Sequence, residues 1–297
     1  MSKKVIIHFL VSDKFSGAEN VASMIVDNLR NDYDIYYCSP DNGVKQTLVN
    51  RGFSGSFIKI EKANLKNIKS IVKEYKPDVL HAHDFKATFL CALIKPKNTK
   101  LISHIHIDKP QQRKITLESV LYLLSSFKID KIVYVSNKIL PNMFFKKFYE
   151  SKFEVIKNEV DEKKIIELSQ AYSIKEKYDL VFLGRFTEQK NPLEFIDVVK
   201  KVSKTKSDIQ AIMIGDGELK ENCIKLIEDY GLGKNIQILE FMNNPYPYLK
   251  ASKTLIMPSK WEGYGLVAVA LNLMATYTFI YKNELGASKT TYILSRV

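Results

Sequence analysis

The chain has 297 residues, 45% hydrophobic and 26% charged, which is enough for two domains with cores of their own and excludes a disordered, fibrous or low-complexity protein. Forty-five Lys and Arg against 33 Asp and Glu leave a net charge of +12; this favours polyanionic partners such as nucleotide phosphates, anionic lipid surfaces or nucleic acid, unless it is only a lysine-rich solvated surface. Cys38, Cys91 and Cys223 lie far apart without CxxC spacing, so a disulfide framework and a Cys-based zinc site are excluded and a reducing cytosol is expected.

The first apolar run, 5–11, is too short for a secretory core and reads as a strand. No run reaches the roughly 20 apolar residues needed to cross a bilayer. Apolar runs then alternate with amphipathic stretches, the pattern of βαβ units and a parallel sheet. Strands are expected at 5–11, 34–38, 56–59, 79–83, 100–106, 131–136 and 153–156, with helices at 18–30, 65–75, 86–94 and 116–126. A polar stretch, 158–177, breaks the alternation and predicts a hinge. A second series follows, with strands at 179–183, 209–214, 236–239, 254–257, 278–281 and 292–294 and helices at 192–203, 219–230, 247–251 and 266–275. The economical reading is α/β with two doubly wound, Rossmann-like parallel-sheet domains, 1–165 and 166–297.

Ligands of such sheets bind beyond the carboxyl ends of the strands, so the loops there carry the informative residues. The first is SDKFSGAE (12–19), whose Gly17 opens a helix. It is either an ordinary turn or a place where an anion reaches free backbone N–H groups. In GRFTEQKNP (184–192), Arg185 and Lys190 precede a helix N-terminus. They are either solvated cations or a diphosphate clamp made of a planar fork and a mobile point charge. IGDGE (214–218) lacks the third glycine of a dinucleotide fingerprint, since Lys220 stands there, so a nicotinamide site is rejected. PSKWEGYGL (258–266) sets Glu262 beside two glycines; that glutamate either caps a turn or accepts sugar hydroxyls.

Histidine recurs as HxH twice, at His81 and His83 and at His104 and His106. Such a pattern arises when one member packs and the other lines a cleft. Only Asp84 and Asp108 stand near as single carboxylates, so no metal is expected. The positive charge lacks a nucleic-acid recognition motif, and nucleic acid is not expected as a partner.

The order of eight segments resembles the family-4 glycosyltransferases of GT-B architecture, particularly those of bacterial capsule and exopolysaccharide assembly. They are SGAEN (16–20), DVLHAHD (78–84), SHIH (103–106), VYVSN (133–137), VIKNEVD (155–161), GRFTEQKNP (184–192), IGDGE (214–218) and PSKWEGYGLV (258–267). The resemblance implies two domains facing across a cleft, with the acceptor mainly on the first and the nucleotide sugar on the second. It implies that Arg185 and Lys190 neutralise the donor diphosphate and that Gly17 contacts it through its backbone. Glu262 would meet hydroxyls of the transferred sugar, with Gly263, Tyr264 and Gly265 beside it on the donor. His106, with His104 as the alternative, would face that sugar near its reacting centre. Cationic side chains and helix termini would stand in for a divalent ion, and no cofactor beyond the donor, a UDP-sugar or another nucleoside diphosphate sugar, is implied.

Two departures stand out. The second glutamate of the family's E-x7-E motif falls at position 270, where this chain has Ala270. The chain also stops about two βα units earlier than the resemblance leads one to expect, which predicts an incomplete second domain. The expected function is transfer of a sugar, with retention, from a nucleoside diphosphate sugar to a glycan or lipid-linked acceptor in cell-surface polysaccharide synthesis. The alternative is an inactive relative that binds glycan or a partner transferase. The basic segment 109–114, followed by the apolar-faced helix 116–126, either docks on an anionic membrane or is an ordinary packed helix.

Overall fold

A computed structural model describes residues 3–137, 139–158, 162–261, 277–282 and 291–295, the last two stretches by backbone alone. The chain divides into two units, Met1–Asn158 and Glu159–Val297.

The first unit runs β1 (Val5–Phe9), α1 (Gly17–Leu29), β2 (Asp34–Pro40), α2 (Val44–Asn50), β3 (Ser56–Ile60), α3 (Leu65–Tyr75), β4 (Val79–His83), α4 (Asp84–Ile94), β5 (Lys100–Ile105), α5 (Leu117–Ser126), β6 (Lys131–Tyr134), α6 (Ile139–Asn142) and β7 (Phe153–Val155). Its strands form one seven-stranded sheet in the order β3-β2-β1-β4-β5-β6-β7, and every pairing is parallel. The chain winds outward from β1 to β3, then returns to β4 and winds the other way. That reversal between β1 and β4 is the switch point at which ligands of open α/β sheets bind.

Local chemistry fixes the helix starts. Asn64 caps α3 by accepting from Asn67 N at 2.9 Å. Thr116 and Ser119 exchange side chain-to-backbone bonds at the start of α5. The sequence pattern does not predict α2. Gly43, at φ +85°, turns the chain into it, and only Val44 and Leu48 are buried, too few apolar positions for a visible period.

The second unit runs α7 (Glu162–Ser169), β8 (Tyr178–Leu183), α8 (Pro192–Ser203), β9 (Ala211–Ile214), α9 (Lys220–Asp229), β10 (Ile236–Leu239), α10 (Tyr246–Lys250), β11 (Ser252–Met257), β12 (Tyr277–Lys282) and β13 (Thr291–Ser295). The sheet order is β10-β9-β8-β11-β12-β13. Alternate residues feed two cores: Leu180, Phe182, Ala211 and Met213 enter one, and Val181, Leu183, Ile212 and Ile214 the other. A sheet buried on both faces needs apolar side chains at both phases of the strand, which is why these segments read as unbroken apolar runs.

The structure corrects one expectation. β13 pairs antiparallel with β12, because the residues between them, 283–290, are too few for a crossover to a parallel strand. The division between the two units, Asn158 to Glu159, falls at the start of the polar stretch 158–177, most of which belongs to the second unit and holds α7. Ile165 is buried on α7, and Asn244 Nδ2 donates to the Leu168 carbonyl at 2.8 Å. The predicted helix 266–275 lies outside the described residues.

Candidate functional site

The cationic loop of the second unit follows β8. Gly184 N donates to the Ile214 carbonyl at 3.1 Å and Phe186 N to the Asp216 carbonyl at 2.9 Å, while Leu219 N returns to the Phe186 carbonyl at 2.9 Å. This approach requires the two glycines of 214–218. A Cβ on Gly215, at φ +148°, would lie 2.0 Å from Gly184 O, and one on Gly217, at φ +157°, 2.5 Å from Phe186 O. The missing third glycine of a dinucleotide fingerprint, with Lys220 in its place, argues against a nicotinamide site in this segment. Here Gly215 and Gly217 let one backbone support another.

The same loop is tied to the segment that follows β11. Lys260 N donates to the Gln189 carbonyl at 2.8 Å, Gln189 Nε2 donates to the Trp261 carbonyl at 3.2 Å, and Lys260 Nζ pairs with Glu188 at 3.0 Å. Arg185 is exposed, with Nη2 on Gln189 Oε1 at 3.4 Å. The Lys190 stem runs beside Gly184, where a Cβ would be 3.5 Å from Lys190 Cγ. Pro192 begins α8 with its ring at the first turn. β8 and β11 are sheet neighbours, so two motifs about seventy residues apart in sequence form one surface. Glu262, Gly263, Tyr264, Gly265 and Ala270 lie outside the described residues.

In the first unit Gly17 is the exposed first residue of α1. The Ser16 hydroxyl donates to the Glu19 carboxylate, and the Arg51 guanidinium lies 4.7 Å from the centre of the Phe15 ring. This turn therefore keeps an exposed helix N-terminus beside a cation, a setting suited to an anion.

All five histidines of the chain gather at the switch point. His8 and His81 are register partners on β1 and β4, His83 and His104 on β4 and β5, and the period of two puts all five on one face. His8 Nδ1 bonds His83 Nε2 at 2.9 Å, His83 Nδ1 bonds His106 Nε2 at 2.8 Å, and His81 Nε2 bonds His104 Nδ1 at 3.2 Å. Both members of each HxH share one face, four of the five rings are buried, and the fifth, His81, is half-buried.

Burial, then the neighbouring His104, lowers His8 to about 3; burial, then His8, lowers His106 to about 3. Burial with the surrounding imidazoles holds His81, His83 and His104 well below their usual value. The cluster is neutral at pH 7. On the opposite face of β5, Ser103 Oγ bonds Thr88 Oγ1 at 2.8 Å and the Tyr122 hydroxyl at 2.9 Å.

Asp84, weighed in the sequence only as a metal candidate, proves to be a structural pivot. It starts α4 at φ +67°, a region costly for a residue with a Cβ. From there its Oδ1 accepts from His106 N at 3.1 Å, and burial pushes its carboxyl up. The sequence signal was a polar residue directly after a strand-end histidine.

Comparison with known proteins places this geometry. The description "Glycosyltransferase Family 4" matches residues 15–164, and "Glycosyl transferases group 1" matches residues 164–278. A glycosyltransferase of Methanocaldococcus jannaschii is 29% identical over 240 residues, which is 72% of this chain and 58% of the relative. The capsular polysaccharide biosynthesis glycosyltransferase CapH of Staphylococcus aureus is 24% identical, covering 87% of this chain and 76% of CapH. A galactosyltransferase of Escherichia coli that uses UDP-Gal and α-D-GlcNAc-diphosphoundecaprenol is 24% identical, covering 89% of this chain and 76% of the relative. Among solved structures, Anabaena HepE in complex with UDP-glucose superposes with a TM-score of 0.77 at 17% identity, over 94% of this chain and 80% of HepE. The fold is thus that of the GT-B glycosyltransferases.

Proposed function

Because the chain belongs to glycosyltransferase family 4, we propose that it moves a sugar from a nucleoside diphosphate sugar to a glycan or lipid-linked acceptor in cell-surface polysaccharide assembly. The observation that carries this reading is the joining of the Arg185–Lys190 turn to the segment after β11 through Gln189. A diphosphate leaving group gains charge as the sugar departs. A guanidinium and an ammonium on one supported turn, ahead of the α8 N-terminus, stabilise that charge without reorganising. In this reading Gly17 offers its backbone to the same donor, Glu262 holds sugar hydroxyls with Gly263, Tyr264 and Gly265 beside it, and His106 faces the sugar. Transfer proceeds with retention, and the two cations take the role of a divalent ion. UDP-galactose and UDP-glucose are the first donors to test, being the nucleotide sugars named for the E. coli relative and for HepE.

The acceptor side of the proposal rests on α5, which is inside out. Ser119, Tyr122, Ser125 and Ser126 face inward, while Leu117 is 77% exposed, Leu124 58% and, flanking the helix, Ile115 66% and Phe127 73%. Lys114 and Lys128 are exposed beside them. Lys109 and Arg113 of the same basic segment are engaged with Glu118 and Asp108. No described helix is long and apolar enough to cross a membrane. An apolar face rimmed by lysine on a chain of net charge +12 suits peripheral attachment to an anionic bilayer, at the cytoplasmic side where nucleotide sugars and lipid-linked acceptors meet.

The test follows thermal unfolding while UDP-glucose or UDP-galactose is added. Stabilisation by one of them, lost in Arg185→Ala, together with labelled-sugar turnover, supports the proposal. Absence of stabilisation by every nucleotide sugar tried overturns it.

A further inference from the structure

We propose that the histidine cluster at the β1–β4–β5 switch point is a binding site for a divalent transition ion of the zinc class, with His83, His104 and His106 as ligands and His8 and His81 as their outer supports. One ring nitrogen from each of the three lies within 4.8 Å of the others, and all three rings are buried.

Three features single out this trio. First, its outer contacts follow the pattern that supports metal-bound imidazole, in which the nitrogen facing away from the ion is held by a second group. His8 Nδ1 takes His83 Nε2 at 2.9 Å, and His81 Nε2 takes His104 Nδ1 at 3.2 Å. Second, with His81 on its Nδ1, His104 has its other ring nitrogen, Nε2, buried without a hydrogen-bond partner among the described residues, an arrangement that costs free energy. Third, His83 Nδ1 and His106 Nε2 already face each other at 2.8 Å. Two nitrogens on one tetrahedral zinc stand about 3.3 Å apart, as bonds of ~2.05 Å require.

The rings now stack, with His104 and His106 centroids 4.2 Å apart at 27°. Turning them about χ2, a broad torsion for histidine, aims their lone pairs at one centre. Asp84, bonded to His106 N at 3.1 Å, places a carboxyl group beside the trio, and water would complete a fourth position. The diphosphate contacts of Arg185 and Lys190 are left untouched, whereas His106 is assigned to the ion in place of the sugar contact given it in the transfer reading.

The experiment uses the full chain without an affinity tag, stripped with chelator and titrated with Zn2+ by calorimetry and with Co2+ by visible absorption. The five clustered residues are the chain's only histidines, so histidine binding elsewhere cannot mimic the result. One ion per chain at micromolar affinity or tighter is expected. His83→Gln and His104→Gln should each weaken binding by about 100-fold, and His8→Gln or His81→Gln by about 10-fold or more. Binding no tighter than millimolar, or binding unchanged by His104→Gln, overturns the proposal. Should the variants fail to fold, X-ray absorption of the unsubstituted zinc-loaded chain decides. Three imidazole nitrogens in the first shell support the site, whereas an oxygen-only or sulfur-containing shell overturns it.

Discussion

His8 Nδ1 on β1 bonds His83 Nε2 on β4 at 2.9 Å, inside a sheet that leaves the two rings 1% and 2% exposed. The pair joins the first strand of the unit to the strand at which the winding reverses. The bond needs an unprotonated acceptor nitrogen on one ring, and burial disfavours a charge on either.

Acid should therefore unfold the first unit early. The folded-state pKa values of the five histidines lie below the unfolded value of 6.5, at about 3 for His8 and His106. Below pH 6.5 the unfolded chain binds protons that the folded chain refuses, so stability is full above that pH and falls toward pH 3. At pH 5.5 His8 and His106, with folded values of about 3, each cost about 1.4 kcal/mol, and the lowered values of His81, His83 and His104 act in the same direction, against a usual total of about 5–15 kcal/mol. Asp84, with its carboxyl pushed up, opposes this with a single group. The metal-free chain should melt at least about 10 °C lower at pH 5.5 than at pH 7.5. A melting temperature that stays flat across that interval contradicts the buried neutral cluster.

Gly217→Ala should damage the donor turn through the backbone beneath it. The new Cβ would sit 2.5 Å from Phe186 O at a φ of +157°, and a loss of about 2–4 kcal/mol is expected. Gly233→Ala is the control, because its Cβ would meet nothing within 4 Å; it should be neutral or slightly stabilising. Urea unfolding separates the two, and equal midpoints would show that the close approach carries no weight.

Lys190→Ala should weaken UDP-sugar binding about 10- to 100-fold, the loss of one charge-assisted contact of ~1.5–3 kcal/mol. Lys190→Arg should restore only part of it, because the wild-type stem passes close to Gly184 and a planar fork replaces a mobile point charge. Calorimetric titration of UDP alone reads this at the diphosphate. An unchanged affinity in Lys190→Ala removes that residue from the clamp.

Leu117→Asp combined with Leu124→Asp should abolish co-sedimentation with vesicles containing anionic lipid while leaving the melting temperature within about 1 °C, since both side chains are largely exposed. Undiminished vesicle binding would move the membrane contact elsewhere on the chain.

Much of this protein is legible in its sequence, because the signals are local. Strand-length apolar runs, Pro192 at a helix start and Asn64 at a cap act over a few residues. They suffice for two α/β units and for putting Arg185 and Lys190 on one turn. The period of two likewise pairs His81 with His83 and His104 with His106. That His8 completes the cluster is a different kind of fact. It depends on β1 lying beside β4 and β4 beside β5, an order set by packing of the whole sheet. The inverted α5 is equally tertiary: an amphipathic pattern says that a helix has two faces, and only its neighbours decide which one is buried. The sequence rejects a nicotinamide site at Gly215 and Gly217 but does not say what the two glycines are for; Gly184 and Phe186 against them supply the reason, because a close approach between distant backbones leaves no mark on the spacing of either segment.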